Sequence, residues 1–151
     1  MSKKLIREWK KVYTSDLPYI VYELKELTKS PALIVLDGPL GVGKTTFCQH
    51  FIGADETLSP SYSILSESGQ ILHGDFYRIE NADEIVPLEL SVYLEDKQYF
   101  LAEWGGKFSR RLFRELPENW STYVLELSFG KPAQEGEAPS RNFTLSTLID
   151  D

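Results

Sequence analysis

The sequence predicts an α/β fold: a mainly parallel sheet flanked by helices, with antiparallel additions that include a C-terminal hairpin. Three observations carry this. The run Ala32-Leu33-Ile34-Val35-Leu36 is unbroken and apolar, lies between Pro31 and Gly38, and reads as a strand buried on both faces, as a parallel sheet requires. A glycine-rich turn follows it, and residues 44–52 then read as a helix that stops at Gly53. Near the C-terminus, residues 122–129 and 142–148 carry period-two patterning. They flank a polar stretch, 130–139, with no core-forming residues, which reads as the mobile tip of an antiparallel hairpin.

The remaining elements follow in order. Thr14-Ser15-Asp16-Leu17-Pro18 supplies capping side chains and then a proline where an early helix turn tolerates one. Ile20, Val21, Leu24 and Leu27 recur at helical spacing and give one apolar face, and Ser30-Pro31 ends the helix. Residues 62–67 and 70–75 read as extended, joined by Ser68-Gly69 in a hairpin-type connection. Asn81-Ala82-Asp83-Glu84 starts a helix with acidic groups in its first turn, and Pro87 limits its length. Residues 98–102 form an apolar strand that runs into Glu103-Trp104, and residues 108–116 form a short basic amphipathic helix stopped by Pro117. There is no internal repeat and no composition break, so one domain spanning 1–151 is expected.

Composition narrows the function. No run of about 18 apolar residues exists, which excludes a membrane-spanning helix. The basic N-terminus leads into no apolar segment and is not a secretory signal. The single Cys48 can form no internal disulfide and reads as a small buried apolar residue. A cytoplasmic location is expected. The net charge of −7 argues against stand-alone nucleic-acid binding, which needs a basic footprint, but leaves room for a protein partner. Lys3-Lys4, Lys10-Lys11 and the run Lys107, Arg110, Arg111, Arg114 are local basic patches, either solvated surface or a docking face.

Gly38-Pro39-Leu40-Gly41-Val42-Gly43-Lys44-Thr45 matches the G-x-x-x-x-G-K-[ST] phosphate loop at every fixed position. Glycines let the chain curl so that successive N–H groups converge on phosphate oxygens, and the helix opening at Lys44 adds its positive dipole end. The Lys44 ammonium suits the β- and γ-phosphates, and the Thr45 hydroxyl is a hard ligand for Mg²⁺. Pro39 cannot donate an N–H, so the donors are expected from Gly41 through Thr45. Together with Pro39, Leu40, Val42 and Thr46, these residues form the expected nucleotide cradle of a P-loop NTPase. A carboxylate at a neighbouring strand end is needed to hold Mg²⁺ or orient the attacking water. Asp75 and Glu103 both end apolar strands and are the candidates. Ser59-Pro60-Ser61-Tyr62 offers a hydroxyl, Ser61, for a switch segment closing over the phosphates, or is a plain turn. His50 and His73 read as structural, and Trp104 as core or interface.

Four blocks resemble those of a known family. They are Gly38-Pro39-Leu40-Gly41-Val42-Gly43-Lys44-Thr45-Thr46-Phe47, then Ser59-Pro60-Ser61-Tyr62, then His73-Gly74-Asp75-Phe76-Tyr77-Arg78, then Leu101-Ala102-Glu103-Trp104. In order and spacing they are similar to the TsaE (YjeE) family, small bacterial ATPases of tRNA threonylcarbamoyladenosine biosynthesis. The resemblance implies a compact P-loop fold, ATP and Mg²⁺ as cofactors, and the partner subunits TsaB and TsaD. TsaD transfers a threonylcarbamoyl group to adenosine 37 of tRNA. It further implies Thr45 and Glu103 as Mg²⁺ ligands and a requirement for Asp75 in activity. Two positions depart from the family pattern: Ser61 stands where Thr is usual, and Gly74 replaces the usual aromatic and should loosen the strand before Asp75. The alternative is a small-molecule or nucleotide kinase, whose lid arginines would be Arg110, Arg111 and Arg114. A guanine-reading Asn-Lys-x-Asp segment is missing, which disfavours a GTPase.

Overall fold

The computed structural model describes residues 1–53 and 64–150. Residues 54–63 lie outside it, and with them the Ser59-Pro60-Ser61-Tyr62 block and the start of the extended segment expected at 62–67. The described chain forms β1 (Ser2–Val12), α1 (Leu17–Leu27), β2 (Ala32–Asp37), α2 (Lys44–Ile52), β3 (Leu65–Ser68), β4 (Ile71–Asp75), α3 (Leu90–Leu94), β5 (Tyr99–Glu103), α4 (Ser109–Glu115), β6 (Ser121–Phe129) and β7 (Arg141–Ile149). All seven strands join one sheet in the order β1-β7-β6-β2-β5-β4-β3.

The four central strands, β6, β2, β5 and β4, run parallel, and the antiparallel pairs β1–β7, β7–β6 and β3–β4 build out both edges. Strand β2 sits at the centre with Ala32 through Leu36 fully buried. Its side chains alternate between two cores. Ile34 and Leu36 pack under α1 and α2 with Phe47, Phe51, Leu125 and Phe143. Leu33 and Val35 pack under α3 and α4 with Phe76, Phe100, Leu90 and Leu112. A parallel strand covered by helices on both faces has no polar side, which is why its sequence is a continuous apolar run. The carboxyl ends of β2, β5 and β4 are adjacent, so Asp37, Glu103 and Asp75 come out at one edge of the sheet.

Several elements differ from expectation. β1 was not visible in the sequence. Its buried residues, Trp9 and Val12, with Ile6 partly buried, recur every third position, because the pairing with β7 shifts between Leu5 and Arg7 and between Trp9 and Val12. Bulges break the period-two signal that marks a strand. The 14–16 segment forms a 3₁₀ turn of its own, in which the Asp16 carboxylate accepts the Tyr13 N–H at 2.9 Å, so it does not cap α1 with a side chain. Leu17, Ile20, Val21 and Leu24 bury the α1 face, whereas Leu27 is exposed. The helix expected from Asn81 is instead two 3₁₀ turns, Ala82–Glu84 and Val86–Leu88, before the short α3. Asn81 accepts the Asp83 N–H as a cap, and Pro87 lies inside the second turn, where its lack of a donor costs nothing.

Gly74 does not loosen β4. A Cβ there would meet the Phe76 ring at 2.8 Å and Phe100 at 3.2 Å. The missing side chain is the space that Phe76 occupies, and Phe76 in turn packs edge-on against Phe100 with ring centroids 6.2 Å apart. Gly74→Ala is therefore expected to destabilise the protein by about 1–3 kcal/mol, the usual range for overpacking a core, measured by urea unfolding. Unchanged stability would show that the ring shifts at no cost.

Candidate functional site

The loop between β2 and α2 folds as its glycines dictate. Gly41 and Gly43 take φ of 80° and 111°, values that L side chains rarely adopt. At Gly38 a Cβ would collide with the Leu127 carbonyl at 2.5 Å, so the loop leaves β2 pressed against β6. Val42 is buried and pins the loop from beneath, and its carbonyl accepts the Arg141 Nε–H at 2.9 Å. Pro39, Leu40, Gly41, Val42 and Gly43 thus form the curl, and Lys44, Thr45 and Thr46 the first turn of α2. Thr45 and Thr46 are exposed.

Lys44 folds back onto its own loop. Its Nζ donates to the carbonyls of Gly38 at 2.6 Å and Pro39 at 3.1 Å, and lies 3.6 Å from the centroid of the Trp104 ring. The residue is only 5% exposed, and this burial lowers the ammonium pKa, opposed by the charges of Glu103, Asp37 and Asp75. Trp104 reaches this place through a left-handed backbone turn, φ 60°, directly after β5, and Tyr77 packs on its indole with centroids 5.0 Å apart. Trp104 is therefore the aromatic cover of Lys44, a role that its sequence neighbourhood left open.

Glu103 is the centre of the arrangement. At 2% exposed, it is held through both carboxylate oxygens. The Thr45 hydroxyl donates to Oε1 at 2.8 Å, and His73 Nε2–H donates to Oε2 at 2.5 Å. The phosphate-loop helix and the ends of β4 and β5 meet on this one side chain. Asp75 pairs in register with Glu103 across the parallel ladder. It is exposed, and one of its oxygens accepts the Tyr77 N–H at 3.1 Å. The donor set fits Mg²⁺: a hydroxyl and a buried carboxylate converging on each other are hard oxygen ligands of the kind that ion takes. The side chains of Cys48, His73 and Glu103 also lie together, with one ligand atom from each within 4.8 Å of the others. Cys48 is fully buried, which raises its thiol pKa well above the ordinary value.

Four participants escaped sequence reasoning. His73, read as structural, bonds Glu103; its position two residues before Asp75 on one strand was the available signal. Asp37 ends the most apolar strand in the chain, the same criterion that selected Asp75 and Glu103. Its carboxylate accepts the Gly106 N–H at 3.2 Å and fills the space where a Gly106 side chain would stand. Arg141, in the hairpin from which no role was read, ties β7 to the loop. Cys48 is one helical turn beyond Thr45 and faces the same strand ends. By contrast, Arg110, Arg111 and Arg114 line a cleft of about 510 Å³ with Lys3 and Lys107 that shares only Asp37 with the site, and none of residues 38–45 lines it. Arg111 there pairs with Asp83 at 3.2 Å.

Burial raises the Asp37 pKa above its usual value, with Glu126 adding to the effect and the Gly106 hydrogen bond opposing it. The folded state then holds this proton more tightly than the unfolded chain does, so the group costs stability as pH rises above about 4. Asp37→Asn keeps an acceptor for Gly106. It is expected to be more stable than the parent at pH 7 in urea unfolding, with the gain fading toward pH 4. A gain independent of pH would contradict this.

Comparison with known proteins agrees with the geometry. Among curated proteins, the chain is 31% identical over 137 residues to the tRNA threonylcarbamoyladenosine biosynthesis protein TsaE of Nostoc sp. (strain PCC 7120), covering 83% of this chain and 81% of that protein. It is 29% identical over 116 residues to the Bacillus subtilis (strain 168) protein of the same name, 72% of each. Among solved structures, YdiB of Bacillus subtilis superposes with a TM-score of 0.59 at 22% identity, over 99% of this chain and 89% of that one, and shares its α/β fold. The family model described as "Threonylcarbamoyl adenosine biosynthesis protein TsaE" matches residues 13–134. The match takes in the loop, the strand-end carboxylates Asp37, Asp75 and Glu103, and Trp104, and the chain belongs to the TsaE family.

Proposed function

We propose that this protein binds ATP with Mg²⁺ at residues 38–45 and hydrolyses it in the cytoplasm. In doing so it supports threonylcarbamoyl transfer to adenosine 37 of tRNA as a partner of TsaB and TsaD. The coarser part, a role in threonylcarbamoyladenosine biosynthesis, follows from family membership. The finer part rests chiefly on one observation: a buried carboxylate, Glu103, receives the hydroxyl of the first phosphate-loop threonine, Thr45, beside Lys44. A structural ion pair would not need a Gly-Lys-Thr loop next to it. Among the described residues no helix is long and apolar enough to cross a membrane.

The residues divide the work. Backbone N–H groups of the curl and the first turn of α2, Gly41 through Thr45, are the donors for the phosphate oxygens. Lys44 exchanges the carbonyls of Gly38 and Pro39 for β- and γ-phosphate oxygens, a trade of neutral acceptors for charged ones. Thr45 and Glu103 hold the Mg²⁺, with His73 fixing the far oxygen of Glu103 so that the carboxylate keeps one orientation. The metal, when bound, neutralises charge on the β- and γ-phosphates. Asp75, whose second oxygen has no partner among the described residues, orients the attacking water. Ser61, expected from the sequence as a switch residue, lies outside the described residues. Arg141 already donates to the carbonyls of Val42 and Ser140 and lies over Phe129, so it is not free to stabilise charge on the transferred group. Turnover by the lone protein is expected to be slow, with TsaB and TsaD accelerating it by reordering the site or supplying a cation.

Lys44→Ala removes charge-assisted bonds to two phosphates and is expected to weaken ATP binding about a hundredfold or more in isothermal titration. Wild-type affinity in that variant would refute the assignment of the loop. Glu103→Gln is expected to lose the Mg²⁺ dependence of nucleotide binding. Asp75→Ala is expected to keep ATP affinity and thermal stability while losing hydrolysis, and an undiminished rate would remove Asp75 from the mechanism. An ATPase assay with and without TsaB and TsaD tests the pathway: equal rates would count against partner dependence.

A further inference from the structure

The side chains of Cys48, His73 and Glu103 form a ligand set of different character from the oxygen pair that suits Mg²⁺. Cys48 lies one turn beyond Thr45 on α2, which brings its sulfur to the same strand ends that the Thr45 hydroxyl meets. Each of the three offers one ligand atom, and these atoms all lie within 4.8 Å of one another. All three side chains are buried: Cys48 is fully so, Glu103 is 2% exposed and His73 8%. Thiolate and imidazole select soft or borderline ions such as Zn²⁺ over Mg²⁺, which demands an octahedral set of oxygens.

The spacing fits a tetrahedral ion with little rearrangement. Zn–S near 2.3 Å and Zn–N or Zn–O near 2.0–2.2 Å place neighbouring ligand atoms roughly 3.3–3.7 Å apart. His73 and Glu103, now 2.5 Å apart, would separate by about 1 Å, and the sulfur starts no more than 4.8 Å from either of them. Such adjustments lie within side-chain rotation, and none of the three sits on a mobile tip: one is in the middle of α2 and two are on central strands. Thr45, bonded to Oε1 of Glu103, is exposed to solvent, and an ion would have to enter past it. Binding would release the Cys48 thiol proton to solvent and move the His73 proton from Nε2 to Nδ1, so Zn²⁺ affinity should rise with pH, and the fourth position is left to water.

We propose that Cys48, His73 and Glu103 bind Zn²⁺, and that this ion opposes Mg²⁺-nucleotide binding because both ions use the Glu103 carboxylate. The first half stands without nucleotide. The second half rests on the role proposed for Glu103 above.

Co²⁺ is the spectroscopic probe. Titrated into the full chain without nucleotide, it is expected to give a thiolate-to-cobalt charge-transfer band that Zn²⁺ bleaches at one equivalent. Cys48→Ser and Cys48→Ala are both expected to lose the band and to weaken Zn²⁺ binding about a hundredfold or more, since even losing an outer partner costs 10–100-fold. Two variants guard against a core defect from either one. Zn²⁺ is then expected to weaken Mg·ATP binding by the wild type and to leave the Cys48 variants unaffected. Lys44→Ala separates the two readings: it is expected to lose ATP binding and keep the cobalt band. A missing band, or equal Zn²⁺ affinity in wild type and both Cys48 variants, overturns the site. A band with no effect of Zn²⁺ on Mg·ATP affinity overturns the antagonism.

Discussion

The structure depends on a negative charge placed where water is nearly excluded. An isolated carboxylate at such depth would be unstable by several kcal/mol. Glu103 is tolerated because each of its oxygens has a donor, Thr45 on one side and His73 on the other. Those donors belong to α2 and β4, so satisfying one acid locks the phosphate-loop helix to two parallel strands. No buried side-chain nitrogen or oxygen among the described residues lacks a partner. The polar centre of the molecule is therefore a closed network, which in a low-dielectric interior holds one geometry.

Lys44 shows the other side of this economy. Three carboxylates, Glu103, Asp37 and Asp75, surround it, and without phosphate its ammonium takes the carbonyls of Gly38 and Pro39 and the face of Trp104. The loop satisfies itself in the same shape that would receive an anion. Little conformational cost then separates the two states, because one side chain changes partners while the backbone curl is already set by Gly38, Gly41 and Gly43. Such pre-organisation favours binding.

Much of this was legible in the sequence, for physical reasons. The apolar run 32–36, the phosphate loop and the helix 44–52 came through because each is a strong local pattern that tertiary context has no reason to override. Asp75 and Glu103 do lie at the ends of β4 and β5, where the sequence put them, while Asp37, at the end of β2, meets the same criterion and was passed over. What stayed hidden depends on partners far away in sequence. Trp9 and Val12 bury a strand whose register slips twice, so its spacing mimics a helix. His73 looks like any strand histidine until β5 brings Glu103 beside it, 30 residues on. Arg141 lies 99 residues from Val42, and nothing local points it at the loop. Gly74 read as a weakness because a missing side chain says nothing about the ring that fills its place.

The central claim is that Thr45 and Glu103 share a metal ion beside the phosphate loop. Crystals grown with a non-hydrolysable ATP analogue and Mn²⁺ in place of Mg²⁺ test it most directly, through the anomalous signal of the metal. The account predicts one strong peak within coordination distance, about 2 Å, of the Thr45 hydroxyl and joined to Glu103 directly or by one water. A peak remote from both side chains, with nucleotide bound, would contradict it.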